Sequence, residues 1–398
     1  MNAWRLAIAQ LLRKPLQTAL AVMLLALGIA TLVFVVLVQG QLSRQLTRDA
    51  QGIDLVVGAK GSPLQLILSA VYHIDVPTGN VALAAMDQLR ANRLIAQVIP
   101  VSMGDSYRGF RIVGTEPALI EHYRGRLAFG ALWTAPMQAV LGAEVARTTG
   151  LSVESTFAGS HGLTEGGAAH EESMYRVVGV LMPTGTVLDR LVITDKASIW
   201  RAHEGEPADA DERAILEAER EVTALLVRYA SQLAAAIVPR QVNAESRLMA
   251  ASPASELARL FALVGVGINT MRVFAAVLIA SSVLALFVTL YNALEERRYD
   301  IAIMRLFGAS RGRIGGLMLL EAWLLALTAI VVGLLVGLAA VAVVAYWLTQ
   351  ARAFSVTAHV TPDLLWIGIV ALLVATIAAL LPAWRAGRMD VAQTLAKG

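Results

Sequence analysis

The sequence has no cysteine and little charge: of 398 residues, 16% are Asp, Glu, Lys or Arg. Without cysteine there are no disulfides and no thiolate metal sites, so an exported portion must be held by its hydrophobic core. No G-x-x-x-x-G-K-[ST] occurs, and "GAKGS" at 58–62 lacks its spacing. No H-E-x-x-H, Ser/His/Asp or paired-acid motif supports a membrane-anchored enzyme. A net charge of +3 gives no bulk attraction to nucleic acid. What is abundant is apolar: 57% of the residues are hydrophobic, well above an ordinary soluble domain once the scarcity of charge is counted.

Four stretches meet the rough requirement of about 20 apolar residues for a spanning helix. They are 19–38, 273–291, 317–347 (interrupted by Glu321) and 364–381. The first has an apolar run longer than a signal peptide needs, with no small-residue cleavage pattern after it, so an anchor is expected. The third exceeds the bilayer and is expected to tilt or project. Basic residues set the orientation. Arg5, Arg13 and Lys14 precede the first span, Arg297, Arg298, Arg305, Arg311 and Arg313 separate the second and third, and Arg385, Arg388 and Lys397 follow the fourth. Both termini (1–18 and 382–398) and the 295–314 loop are therefore expected in the cytoplasm. Residues 39–252, a stalk at 253–272 and a short loop at 348–363 are expected on the other side.

The expected fold is four transmembrane α-helices with a large α+β extracytoplasmic domain, without a convincing internal repeat, inserted between the first and second spans. Strands are expected at 53–57, 139–141, 175–181, 191–194 and 222–228, each short and bounded by Gly, Pro or Asp. Helices are expected at 81–93, 143–149 and 210–220. The Gly-rich segment 159–173 reads as a loop between strands. The stalk carries Leu260–Ile268 and must hide its apolar side against another helix or lipid; an interfacial helix is the alternative.

In "EERRYDIAIMRLFGASRGRI" (295–314), Ile301, Met304 and Phe307 follow one another at i, i+3, i+6 and are expected on one helical face. Gly308 accepts the left-handed conformation that ends a helix, and Ser310 can cap the next. So short a helix needs a surface to lie on. That surface is either the lipid interface or a groove on a cytoplasmic partner.

Glu296-Arg297, Asp300-Ile301, Arg305 and Gly308-Ala309-Ser310 resemble the signature of FtsX-like, or MacB-type, ABC transporter permeases, a family that also includes LolC/LolE-type members. "LLRKPLQTALAVMLLALGIA" (11–30), Glu321-Ala322 and "LPAWRAGRMDVAQTLAKG" (381–398) agree with it; "AVLGAEVARTTGLSV" and "YRVVGVLMPTGTVLDRLVIT" agree more weakly. Asp300 stands for the usual Glu, and Val391 where the family tends to Pro. The resemblance implies a permease of a bacterial inner membrane that transmits motion and is not itself an enzyme. It implies two permease copies, alike or paralogous, with two cytoplasmic ABC ATPase subunits. No cofactor is bound directly; ATP and Mg are expected on the separate ATPase. Glu296, Arg297, Asp300, Ile301, Met304, Arg305, Phe307 and Gly308 would couple to it. The cargo would be periplasmic or membrane-extracted, with membrane lipids and a periplasmic protein as further partners. The alternative is an FtsX-like, non-transporting regulator of an envelope hydrolase.

Other residues have two readings. Glu321 serves packing or snorkels to the interface. Gly333 and Gly337 form a G-x-x-x-G that fits a dimer seam or packing within one chain. His161 and His170, with Glu165, Glu171 and Glu172, have metal-ligand chemistry but no compact spacing. Asp54, Lys60, His73 and Asp75 suit a partner surface or a turn-rich structural segment. The topology predicts that single cysteines placed between 298 and 310 react with a membrane-impermeant maleimide only after the inner side is opened. Reaction in intact cells would reverse the orientation.

Overall fold

The computed structural model describes residues 4, 7, 13–161, 169–203, 216, 217, 219–245, 247–350 and 361–388. In chain order the elements are α1 (Pro15–Asp49), β1 (Leu55–Ala59), α2 (Pro63–Ala70), β2 (Val81–Ala82), α3 (Leu83–Ala91), β3 (Ile95–Tyr107), β4 (Phe110–Thr115) and α4 (Ala118–His122). There follow β5 (Leu127–Gly130), β6 (Gln138–Leu141), α5 (Ala143–Thr149), β7 (Thr156–His161), β8 (Ala169–Leu181), a 3-10 turn (Val187–Arg190), β9 (Leu191–Asp195) and α6 (Lys196–His203). The chain continues with β10 (Glu221–Val222), β11 (Ala224–Tyr229), α7 (Gln232–Glu245), β12 (Leu248–Ala251), α8 (Pro253–Glu296), α9 (Arg298–Leu306), α10 (Arg311–Gln350) and α11 (Asp363–Arg388).

Two compact units result. One comprises residues 1–42, 263–349 and 355–398; the other comprises 43–262 with 350–354. In the first, α1, α8, α10 and α11 are long and apolar enough to cross a membrane. Their contacts use small residues, which let backbones approach where lipid removes any hydrophobic drive between helices. A Cβ on Gly333 would stand 2.8 Å from the carbonyl of Ala26 and from Ile29, and one on Gly337 2.8 Å from Val33. Both glycines of the G-x-x-x-G therefore press α10 against α1 within one chain. Leu25, Ile29, Val33, Ala322, Ala326 and Ala329 fill the same seam. The expected stalk and second span form one helix, α8, of 44 residues, about 66 Å long at the α-helical rise.

The second unit is built on a ten-stranded sheet. β12, β1, β11 and β3 are antiparallel neighbours. From β3 the ladder runs through β4, β9, β6, β8 and β7 and returns to β3, closing six strands into a barrel. Closure removes the free edges that an open sheet would offer. The single strand β3 serves both parts: its first residues pair with β11, and Val101 onward with β4. Arg108 and Gly109, both with positive φ, make the two-residue turn into β4. Phe110, Ile112, Leu141, Phe157, Tyr175 and Val192 fill the barrel. A separate core under the open part joins Leu55, Val57, Leu225 and Val227 to Met86 and Leu89 of α3 and Val238 of α7.

The expected helix 143–149 and strand 191–194 lie within or on the observed elements, and strand 139–141 is β6 less one residue. The expected helix 81–93 instead opens as β2, because Val81 and Ala82 pair with Val222 and Glu221. The expected strand 53–57 is shifted to Leu55–Ala59, since Asp54 is used as a cap: its Oδ2 accepts the Tyr229 N–H at 2.7 Å. The segment 159–173, expected as a loop, is instead strand at both ends: β7 runs to His161 and β8 starts at Ala169, because Ser160 pairs with Ala169 and with Ser106. Residues 162–168, 204–215 and 389–398, which hold the middle of that segment, the start of the expected helix 210–220 and Val391, lie outside the described residues.

His73 is buried, takes φ 57° and places Nδ1 3.1 Å from the Met103 sulfur. Burial, with Arg111 and then Arg190 nearby, depresses its pKa to about 3. The unfolded chain then binds a proton near pH 6.5 that the folded chain refuses, so this group's contribution is intact above that pH and lost as pH falls toward 3. We expect stability to drop by about 1.4 kcal/mol per pH unit below pH 6 from this group. Thermal unfolding of His73→Asn, which suits positive φ, should show a shallower acid slope; an unchanged slope would remove His73 as the cause. Gly333→Val should overpack the α1–α10 seam and cost about 1–3 kcal/mol, read as a lower unfolding temperature in detergent.

Candidate functional site

The connection between α8 and α10 is the nine-residue helix α9. Sequence fixes its end. After Leu306 the chain turns through Gly308 at φ 91°, the Gly308 N–H donates to the Arg305 carbonyl and the Ala309 N–H to Met304. That pair of bonds is a Schellman closure. Ser310 Oγ then accepts the Arg313 N–H at 3.3 Å and opens α10.

α9 does not float. Ile301 and Ala302 are buried, and Ile301 packs with Leu294, Ile314, Met318 and Ala386, flanked by Met304 and Ala383. The opposite side is open: Tyr299, Leu306 and Phe307 are exposed, Phe307 at 84% against 4% for Ile301. The expectation that Ile301, Met304 and Phe307 share one face is therefore corrected. The helix stops at Leu306, and the glycine turn carries Phe307 out of register with the buried side. Tyr299 and Leu306, seven residues apart and so on one helical stripe, were missed by the sequence reading. Their spacing was legible, but it competed with the Ile301/Met304 spacing.

Two ion pairs latch α9's flanks. Arg297 Nη1 lies 3.0 Å from Oε1 of Glu321, and both side chains are largely withdrawn from solvent. Lys14 pairs with Glu296 on a far more exposed site. The two differ in consequence. Removing one member of a buried pair strands the other charge and costs about 3–5 kcal/mol, whereas an exposed pair contributes about 0–1 kcal/mol. Arg297–Glu321 is thus the latch that matters, and Glu321 faces it inside the chain. Arg385 adds a contact from α11, donating to the Tyr291 hydroxyl at 3.1 Å. Asp300 is exposed, and Arg305 is partly covered near the helix end. Of the residues expected to couple, Glu296, Arg297, Ile301 and Met304 hold α9 in place, while Asp300, Phe307 and Gly308 face outward.

In the second unit an open groove of about 770 Å³ is lined by Arg44, Arg48, Ala254, Leu257, Ala258 and Phe261. Asp54 and Asp75 cap backbone N–H groups of Tyr229 and Val76, and His73 is buried, so these three serve the fold; Lys60 is exposed. Among the described residues no group of three or more His, Asp or Glu is placed to hold a metal ion. The side chains of His161, His170, Glu165, Glu171 and Glu172 lie outside the described residues.

Comparison with known proteins matches two family models along the chain. Residues 18–245 match the MacB-like periplasmic core domain and residues 272–391 the FtsX-like permease C-terminal family. Among solved structures, the periplasmic region of MacB from Actinobacillus actinomycetemcomitans is similar at 10% identity and TM-score 0.35, covering 54% of this chain and 95% of that one. The extracellular domain of a noncanonic ABC-type transporter, YknZ, from Gram-positive bacteria is similar at 10% identity and TM-score 0.29, covering 49% and 98%. A search of curated proteins finds no match. With one family model spanning more than half of the sequence and a second taking up most of the remainder, the chain belongs to the MacB/FtsX-like family of ABC transporter permeases.

Proposed function

We propose that this chain is the transmembrane subunit of an ABC transporter and carries ATPase-driven motion across a bacterial inner membrane to its inserted domain, acting on a periplasmic or membrane-extracted substrate. The observation that carries this reading is α9: a short helix, latched by Arg297–Glu321 and packed through Ile301, that leaves Tyr299, Leu306 and Phe307 exposed. A rigid helix with an outward apolar face is what a groove on another protein grips. Two permease copies and two ATPase subunits make the assembly, with ATP and Mg bound by the ATPase. Both termini and α9 face the cytoplasm, in keeping with the excess of Arg and Lys around them. The described spans support transmission over conduction. Glu321 is the acid in α10 and is paired to Arg297, whereas a conduction path places ionisable groups along its length.

Two substitutions separate the roles within α9. Leu306→Asp with Phe307→Asp should leave membrane insertion intact and abolish co-purification of the ATPase, because central apolar anchors are worth about 2 kcal/mol or more each. Normal assembly and ATP hydrolysis in that variant would reject α9 as the coupling element. Glu321→Ala should retain the docking face but release its anchor, lowering both unfolding temperature and coupled ATP turnover. Capture of an envelope hydrolase by the intact complex, with no extruded substrate, would turn the reading to the FtsX-like regulator.

A further inference from the structure

The last residue of α1 is an acid, Asp49. A carboxylate at a helix C-terminus faces the negative end of the macrodipole and weakens the helix. Its place therefore needs another explanation, and its surroundings supply one. Asp49 is fully buried. Oδ1 accepts the Val187 N–H at 2.8 Å, and Oδ2 lies 3.8 Å from the buried Arg190 guanidinium. Gln45 donates to both oxygens from one turn back.

Carbonyls in the last turn of α1 are held by the same domain, Leu46 O in addition to the bond it accepts from the Ala50 N–H. The Tyr72 hydroxyl donates to Leu46 O at 3.0 Å and the Tyr123 hydroxyl to Asp49 O at 2.7 Å. Arg48 donates to Gly185 O at 3.1 Å. The receiving turn is itself stiff: Asp189 accepts the N–H groups of Thr184 and Gly185 and the Thr184 hydroxyl, all at 2.8 Å. Its far side is seated on Gly142, where a Cβ would come within 2.1 Å of the Leu188 carbonyl. Every one of these residues belongs to the 43–262 unit, while α1 itself begins at Pro15 in the other.

We propose that Asp49, clamped by Val187 and Arg190 with Arg48 on Gly185, is a weld that makes the 184–190 turn follow α1, so that axial or rotational movement of that helix is delivered to the barrel through β9. This rests on the transmission reading above. Asp49, Arg48 and Arg190 are positioning residues.

The natural absence of cysteine allows the test in the full chain with its co-purified ATPase. Labels at Arg147→Cys on α5 and Asp363→Cys at the start of α11 would report distance changes on adding ATP and Mg, with ATP turnover measured in parallel. In the otherwise native complex we expect a nucleotide-dependent change. Asp49→Asn and the exposed-site Arg48→Ala should keep ATP turnover within twofold and reduce the distance change by half or more. Arg48→Lys, which restores a donor, should recover it. Arg48→Ala should also keep its unfolding temperature, which separates a coupling role from one in folding alone. An undiminished change in both variants would overturn the weld and leave the transmission reading standing. No nucleotide-dependent change in the native complex would overturn both.

Discussion

An α-helix satisfies its own backbone, and here that property reaches past the membrane. About 20 residues cross a hydrocarbon core, yet α1 has 35 and α8 has 44. The surplus is still helix, with no proline or glycine turn to interrupt the ladder at the end of the apolar run. Such a ladder resists stretching because extension would break bonds along its whole length. Each of these helices carries residues of both units on one continuous hydrogen-bonded ladder.

Among the buried charges, which also include Asp105, Arg111 and Glu256, two ion pairs sit at helix boundaries. Arg297–Glu321 lies where α9 leaves α8, and Asp49–Arg190 where α1 ends. A buried ion pair adds little net stability over a well-packed apolar pair, but breaking one is costly. It therefore fixes an orientation more than it strengthens a fold. Between these ends the seams are apolar and small, as at Gly333 and Gly337 against α1. That pattern suits helices that must keep defined ends while their middles lie in lipid.

The barrel extends the same logic into the second unit. β3 belongs to both the open sheet and the closed ring, so neither part can shift without the other. The 184–190 turn leads directly into β9, which lies between β4 and β6 within the ring. Displacement of that turn has a strand to act on instead of a loop to be absorbed in.

Much of this was legible in the residues. Runs of apolar residues gave the four spans, since hydrocarbon length is a matter of counting, and Gly308 and Ser310 marked the break around α9 because turn chemistry is local. The family resemblance rested on motifs at those same breaks. The barrel was not legible. "VIPVSMGDSY" mixes Pro100, Gly104 and Asp105 into one long strand, and ring closure depends on partners far away in sequence. The G-x-x-x-G could not say which helix it meets, and α9 carried two apolar stripes with nothing local to rank them. Sequence by itself determined which stretches are long and apolar enough to cross and where α9 stops, because those follow from counting and from neighbours within a turn or two. Only the tertiary structure decided that Ile301 turns in and Leu306 out, and that Asp49 is a clasp instead of a flaw, because burial is conferred by residues that the chain brings back from a distance.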